Sequence, residues 1–389
     1  MKPKIRILTY HYIPNNGAFL FAYSLQKGLQ SELSGADVQI LNYKSTRLAF
    51  IEYLKQLNVF QSIPSFYFER SHMWRRFITG HLELDDDLPR LASTTKLQRI
   101  FSDRYDAMIV GMDVWGIIRG TQRPSFPNIY WLPQKLSIPK LAYGVSAYYS
   151  DLSLIKQHKQ LISTYLNDFE IIGVRDQFTY ELVSEHRSRT DGLVSKIPDP
   201  AFLYEIQPTS IAKKLASLGI DLDRPMVGVL LYGSDKLAQE IQSHFRAKGY
   251  QIIALSMFNP YADFNLGHKL NPFEWAEAFQ LLSFCVTDRF HGTIFCLKNQ
   301  IPFISIEKES GLPQNQSKLY DLLAEFDMTA CYQNPYDDKF NLYALLHLAD
   351  EILKSWNGDH KPKIAPKIQD IIGQHCSFIN QIKAEFSLV

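Results

Sequence analysis

The densest run of reactive side chains in this chain is Thr287-Asp288-Arg289-Phe290-His291-Gly292-Thr293. It lies between a β-type run, Phe284-Cys285-Val286-Thr287, and an apolar helical stretch with Ile294, Phe295 and Leu297. Strand-to-helix turns at the carboxyl edge of a parallel sheet are where open α/β folds bind ligands. A helix N-terminus there offers amides and a positive dipole to an anion. Arg289 adds a planar fork matched to phosphate or carboxylate, and His291 adds a group that carries a proton near neutral pH. Gly292 lets the backbone come close. With Phe290 and Thr293 alongside, the run reads as an anion site with a built-in proton donor. The competing structural reading is an Asp288–Arg289 pair beside a capping histidine.

Four further turns hold polar residues in comparable places. Asn16-Gly17 follows the first apolar run, and its plain reading is a loop entering a helix. Gly111-Met112-Asp113 closes the third run. Arg175-Asp176 closes the fifth, where Arg175 would extend from a strand end and Asp176 would start a helix. Asp199-Pro200 suits the cap of a turn. The P-loop, GxGxxG, GxSxG and HExxH patterns are absent. Asp85-Asp86-Asp87 looks like a metal cluster, but adjacent acids point different ways on any regular element, so it reads as a solvated loop with no metal site. The four cysteines, Cys285, Cys296, Cys331 and Cys376, form no CxxC pair and read as reduced, mostly buried thiols.

These turns must be positioned by alternating strands and helices. Ile5-Arg6-Ile7-Leu8-Thr9-Tyr10, Val38-Gln39-Ile40-Leu41, Asp106-Ala107-Met108-Ile109-Val110-Gly111, Leu141-Ala142-Tyr143-Gly144-Val145-Ser146 and Ile171-Ile172-Gly173-Val174-Arg175 read as strands. A helix carrying Phe19, Ala22, Leu25 and Leu29 follows the first of them. The alternation pauses over residues 192–210, where Pro198, Pro200 and Pro208 discourage a continuing element. A second series begins at Met226-Val227-Gly228-Val229-Leu230-Leu231-Tyr232 and closes at Pro302-Phe303-Ile304-Ser305-Ile306. The expectation is an α/β protein of two Rossmann-like domains facing across a cleft. Residues 1–195 form the first domain, 196–210 a linker, 211–355 the second, and 356–389 a helical tail.

Composition sets the class. At roughly 150 residues per domain, 389 residues allow two to three domains. A chain 46% hydrophobic and 21% charged is globular rather than disordered. The net charge of +1 gives no basic excess for phosphate neutralisation, so no nucleic-acid partner is expected. No apolar run reaches the ~18 residues of a membrane span, and the N-terminus lacks the pattern of a signal peptide. A cytoplasmic protein is expected. Residues 59–77 mix Phe60, Phe66, Tyr67, Phe68, Trp74 and Phe77 with Arg70, Arg75 and Arg76. That mixture reads either as peripheral contact with a membrane surface or a lipid-linked substrate, or as inter-helical packing with snorkelling arginines.

Taken in order, these segments resemble the polysaccharide pyruvyl transferase family from about Lys4 to Asp327. The resemblance rests on Ile7-Leu8-Thr9-Tyr10 with Asn15-Asn16-Gly17, the run from Tyr105 to Asp113, Gly173-Val174-Arg175-Asp176 and Pro198-Asp199-Pro200. It continues through Val286-Thr287-Asp288-Arg289-Phe290-His291-Gly292 and Ser317-Lys318-Leu319-Tyr320. It implies a fold similar to GT-B glycosyltransferases. It also implies transfer of pyruvate from phosphoenolpyruvate to two hydroxyls of a sugar in a cell-surface polysaccharide or its lipid-linked precursor. The product is a cyclic ketal, phosphate is released, and no cofactor takes part beyond the donor substrate. The first domain would hold the acceptor and the second the donor.

The family's Arg-x-His element carries over to Arg289 and His291, and Arg175 matches the arginine after the last strand of the first domain. One departure stands out. Gly-Ser-Asp-Gln-x-Trp appears here as Gly111-Met112-Asp113-Val114-Trp115, so the serine's hydrogen bond is lost. On this reading Arg289, Arg175 and the amides at Gly292-Thr293 anchor the two anionic ends of phosphoenolpyruvate. His291 protonates its methylene carbon. In a competing assignment His291 holds the phosphate and Asp113 handles protons. The alternatives are a GT-B glycosyltransferase using a nucleotide-sugar, with Glu307 holding a ribose, and a non-catalytic relative acting as a binding protein.

Overall fold

The computed structural model describes residues 2–43, 64–86, 94–118, 126–207, 211–231, 236–308 and 316–385. They divide into two compact units. The first comprises Met1–Pro64, Arg75–Leu203 and Ile371–Val389, and the second Ser65–Trp74 and Tyr204–Asp370.

The first unit is built on a seven-stranded parallel sheet of order β3-β2-β1-β4-β5-β6-β7. Its strands are β1 (Lys4–Leu8), β2 (Asp37–Leu41), β3 (Leu84–Asp85), β4 (Ala107–Met112), β5 (Lys140–Val145), β6 (Ile171–Val174) and β7 (Leu193–Lys196). The second carries a six-stranded parallel sheet of order β10-β9-β8-β11-β12-β13. These are β8 (Met226–Leu230), β9 (Gln251–Ala254), β10 (Phe264–Asn265), β11 (Phe284–Thr287), β12 (Phe303–Ile306) and β13 (Tyr332–Gln333). The central strands are buried throughout, as continuous apolar runs covered on both faces must be. In both sheets the winding reverses beside the first strand, between β1 and β4 and between β8 and β11. The loops leaving those strands therefore open at the switch point.

Four strands were not expected from the pattern: β3, β7, β10 and β13. Each is two to four residues long and lies at a sheet edge or close to it. β7 ends inside the stretch expected as linker, and the units divide at Leu203 and Tyr204. The expected helical tail is not a separate piece either. The long helix Lys361–Glu385 buries Ile371, His375, Phe378, Ile379 and Ile382, and from Ile371 onward it belongs to the first unit. Phe378 packs edge-on against Tyr143 at 5.1 Å. A Cβ on Gly173 would lie 2.7 Å from the Phe378 ring, so only glycine admits it there. Burial pushes the Tyr143 phenol well up, so it stays protonated, sharing a 2.8 Å hydrogen bond with His375 Nδ1.

Asp85 corrects the reading of a solvated acidic loop. It is buried and accepts from Arg6 Nε at 2.5 Å, while Arg6 also reaches Asp37 at 2.9 Å. A strand arginine buried in the sheet demands such partners. Asp86 accepts from Asn42, and Asp87 lies outside the described residues. Among the described residues no acidic, histidine or cysteine group could hold a metal ion.

The aromatic and arginine-rich segment begins outside the described residues at Val59 and Phe60, as do the side chains of Phe66, Tyr67 and Phe68. Residues Pro64–His81 form a helix. Arg70 is buried and donates to the Ser256 carbonyl at 3.0 Å, Trp74 is buried, and Phe77 packs edge-on against Phe19 at 4.9 Å. These three residues serve packing. No described helix is long and apolar enough to cross a membrane.

Two measurements check this packing. Truncating Phe378 to alanine is expected to cost about 3–5 kcal/mol, read as a lowered denaturation midpoint. Lys298 ends the helix Phe290–Lys298, and burial pushes its ammonium down to about 8 against the pull of Glu205. A lysine depressed in the folded state binds its proton more readily when unfolded, so its penalty is full below about pH 8. The penalty fades as pH rises toward the ordinary value of 10.5. Lys298→Met therefore raises the melting temperature at pH 7, and the gain shrinks on titration from pH 8 to 10.5.

Candidate functional site

Each unit gathers a polar cluster at the carboxyl ends of its strands. In the first, Asp113 follows β4, Arg175 follows β6, and Asp199 follows β7 by three residues. Arg175 donates through one terminal nitrogen to Asp113 and through the other to Asp199. The side chains of Arg175 and Asp199 are wholly buried, whereas Asp113 is 22% exposed. Burial lowers an arginine's pKa, but the carboxylates of Asp113 and Asp199 outweigh it and the net shift is upward. Asp176 caps the helix Gln177–His186 and accepts from Thr179 N at 2.9 Å and Thr179 Oγ1 at 2.6 Å. Burial raises its pKa against the hydrogen bonds of Ser146 and Thr179.

The turn that presents Asp113 is held on both sides. Met112 adopts φ +83°, a left-handed conformation that costs a side-chain-bearing residue, and the β4–β5 register shifts beside it. Ser146 N and Val114 N donate to the Met112 carbonyl at 3.1 and 2.8 Å. Two residues beyond Asp113, Trp115 is fully buried, stacked on Trp131 at 4.8 Å and bonded through Nε1 to the Tyr130 carbonyl at 3.1 Å.

In the second unit, Thr287 ends β11 and its Oγ1 accepts from Arg289 N at 3.0 Å. Arg289 is the N-cap of the helix Phe290–Lys298 and supplies no side-chain cap. Its Nε lies instead 2.8 Å from Asp288 Oδ1, with a quarter of the side chain exposed. The structural pairing of Asp288 with Arg289 thus exists, and it leaves part of the guanidinium at the surface. A Cβ on Gly292 would fall 2.3 Å from Thr287 Oγ1, so the glycine is what lets the helix start against the strand end. His291 is half-buried in the same first turn, its ring edge-on to Phe290 at 5.7 Å. Lys318, at the start of the helix Lys318–Glu325, is buried with Nζ 5.0 Å from the centre of the Phe290 ring.

The remaining expected residues are placed as follows. Arg175 is enclosed between carboxylates rather than offered to an anion. Thr293 is fully buried: its hydroxyl meets Ser305 Oγ at 2.6 Å and its amide donates to the Arg289 carbonyl at 3.0 Å. The Gly17 amide is occupied by the side chain of Asn15, the cap of the helix Asn16–Glu32, at 3.0 Å, and Asn16 is buried beside it. Glu307, expected as a ribose ligand, is 2% exposed and accepts from Ser317 Oγ at 2.5 Å, Tyr332 Oη at 3.2 Å and Lys308 N at 2.9 Å. Lys318 was not assigned a role. Its only sequence signal is its place after Ser317, whose hydroxyl caps the helix by accepting from Tyr320 N at 3.2 Å.

Comparison with solved structures agrees with this architecture. The S. aureus MnaA–UDP co-structure superposes with a TM-score of 0.59 at 12% identity, over 100% of this chain and 98% of that one. A putative UDP-N-acetylglucosamine 2-epimerase from Listeria monocytogenes gives 0.59 at 11% identity, over 100% and 98%. The spinosyn forosaminyltransferase SpnP gives 0.53 at 11% identity, over 100% of both chains. At such identities the likeness is one of fold: two Rossmann-like units of the GT-B class. No curated protein matches the chain by sequence. The pattern of the polysaccharide pyruvyl transferase family matches residues 15–310, a span that holds Asp113, Arg175, Asp199, Arg289 and His291, and the chain belongs to that family.

Proposed function

We propose that this protein transfers pyruvate from phosphoenolpyruvate to two hydroxyls of one sugar, closing a cyclic ketal and releasing phosphate. The observation that carries the reading is the pairing of Arg289 and His291 in the first turn of an uncapped helix at the switch point of the second sheet. The donor has two anionic ends and needs two cations. Arg289 supplies one. We take Lys318, whose ammonium lies against the Phe290 ring of the same unit, as the second. The first unit's cluster sets three carboxylates, Asp113, Asp176 and Asp199, around one guanidinium. That negative cluster, with Asp113 alone at the surface, suits a neutral, hydroxyl-rich sugar better than an anion. The acceptor would be a sugar of a cell-surface polysaccharide or its lipid-linked precursor, met on the cytoplasmic side.

In the reaction, His291 gives a proton to the methylene carbon as one sugar hydroxyl bonds to the enol carbon. The second hydroxyl then bonds to the same carbon, and its bond to the phosphate oxygen breaks. One hydroxyl proton is balanced by the proton on the new methyl group, and the other leaves on phosphate. A correctly placed acid contributes about 10²–10⁴-fold. Nucleotide-sugar transfer is the second reading, since the chain shares its fold with a protein named as a forosaminyltransferase. The burial of Glu307 counts against it.

Phosphoenolpyruvate is expected to raise the melting temperature of the purified protein by mass action, with UDP-galactose, GDP-mannose and pyruvate inert. Arg289→Ala should abolish the rise. A rise with a nucleotide-sugar instead would move the reading to glycosyl transfer. His291→Gln should keep the phosphoenolpyruvate response while turnover drops about 10²–10⁴-fold. If the response itself is lost, His291 holds the phosphate rather than delivering the proton.

A further inference from the structure

We propose that Asp113 takes the proton of the attacking sugar hydroxyl, and that Arg175, itself gripped by Asp199, is the positioning residue that aims Asp113 and keeps it ionised. This inference rests on the pyruvyl-transfer reading. Three loop segments at one sheet edge meet in a carboxylate–guanidinium–carboxylate chain, Asp113–Arg175–Asp199, through both terminal nitrogens of Arg175. The inner two members have wholly buried side chains, and Asp113 alone reaches the surface.

The chain is braced at every member. Ala201 N donates to Asp199 Oδ1 at 2.9 Å. Arg175 N donates to the Val145 carbonyl at 3.1 Å, and its guanidinium lies 5.9 Å from the centre of the Phe21 ring. Asp113 sits between the strained Met112 and the buried Val114 and Trp115. Asp176, the remaining charge near Arg175, is turned to Thr179, whose Oγ1 in turn accepts from Ala147 N at 2.8 Å.

Arg6 also holds two carboxylates, but within the sheet; Arg175 holds its pair at the carboxyl ends of strands, where open α/β sheets bind ligands. Removing these charges from water is expensive, and it leaves one carboxylate, Asp113, partly exposed. A base oriented by a fixed third group is the arrangement that proton abstraction requires. The neighbouring positive charge favours the carboxylate form, which accepts protons and does not donate them. In the step itself the hydroxyl O–H bond breaks, its proton goes to an Asp113 oxygen, and the sugar oxygen bonds to the enol carbon. His291 supplies the proton added to the methylene carbon. Exchange with water returns both side chains to their starting states.

The test uses the full chain labelled with ¹³C-carboxyl aspartate, following with pH the resonance that disappears in Asp113→Asn. Arg175→Gln is expected to raise its titration midpoint by about one unit or more. Arg175→Lys and Asp199→Asn should retain the phosphoenolpyruvate-induced melting shift. Phosphate release from phosphoenolpyruvate, with 4-nitrophenyl glycosides as acceptors, should fall about 100-fold in kcat. Lysine should recover more turnover than glutamine, and the acid limb of the kcat/KM profile should move with the Asp113 titration. A purely structural role leaves the acid limb where it is. Loss of the melting shift in Arg175→Lys would overturn the proposal and make Arg175 a donor anchor. An Asp113 titration unmoved in Arg175→Gln would sink it without touching the donor assignment. A wild-type protein indifferent to phosphoenolpyruvate would sink the pyruvyl-transfer reading instead.

Discussion

A parallel strand cannot be joined to its neighbour by a hairpin, so every connection in both sheets must cross over through a helix or loop. The crossovers bury both faces of each sheet and leave the strand ends as the places where polar groups meet water. The two described polar clusters obey that restriction. Asp113, Arg175 and Asp199 leave the carboxyl ends of β4, β6 and β7, and Arg289 and His291 leave that of β11. The winding reversal beside β1 and β8 then opens the crevice into which such loops project.

Within that frame the two clusters are electrostatically opposite. The first unit gathers carboxylates around a single buried guanidinium, and the second gathers Arg289, Lys318 and a half-buried histidine. The pyruvyl-transfer reading needs both kinds of surface, since one substrate is a dianion or more and the other carries hydroxyls whose protons must be removed. A single site of either sign would repel one partner or fail to activate the other.

Close approach is the second constraint. Gly292 lets the helix Phe290–Lys298 begin against Thr287, and Gly173 lets Phe378 of the last helix lie on the sheet. A methyl group at either would collide at 2.3 or 2.7 Å. One glycine sets the position of Arg289 and His291. The other ties the chain's last helix to its first sheet, an association far apart in sequence and essential to the core that supports Tyr143.

The central strands, the polar turns at their carboxyl ends and the family were legible in the sequence because apolar runs, glycines and charged residues declare themselves locally. Short strands such as β3 and β13 were not, since two residues carry no periodicity and take their conformation from a neighbour. The return of the last helix to the first unit was equally hidden: its apolar face at Ile371, Phe378 and Ile382 announces burial without naming a partner. Sequence also determined that Arg175 stands at a strand end, but only the tertiary structure decided that two carboxylates from other loops enclose it. A charge seeks whichever opposite charge the fold brings near, and that choice is made by strand order, which no local window of residues contains.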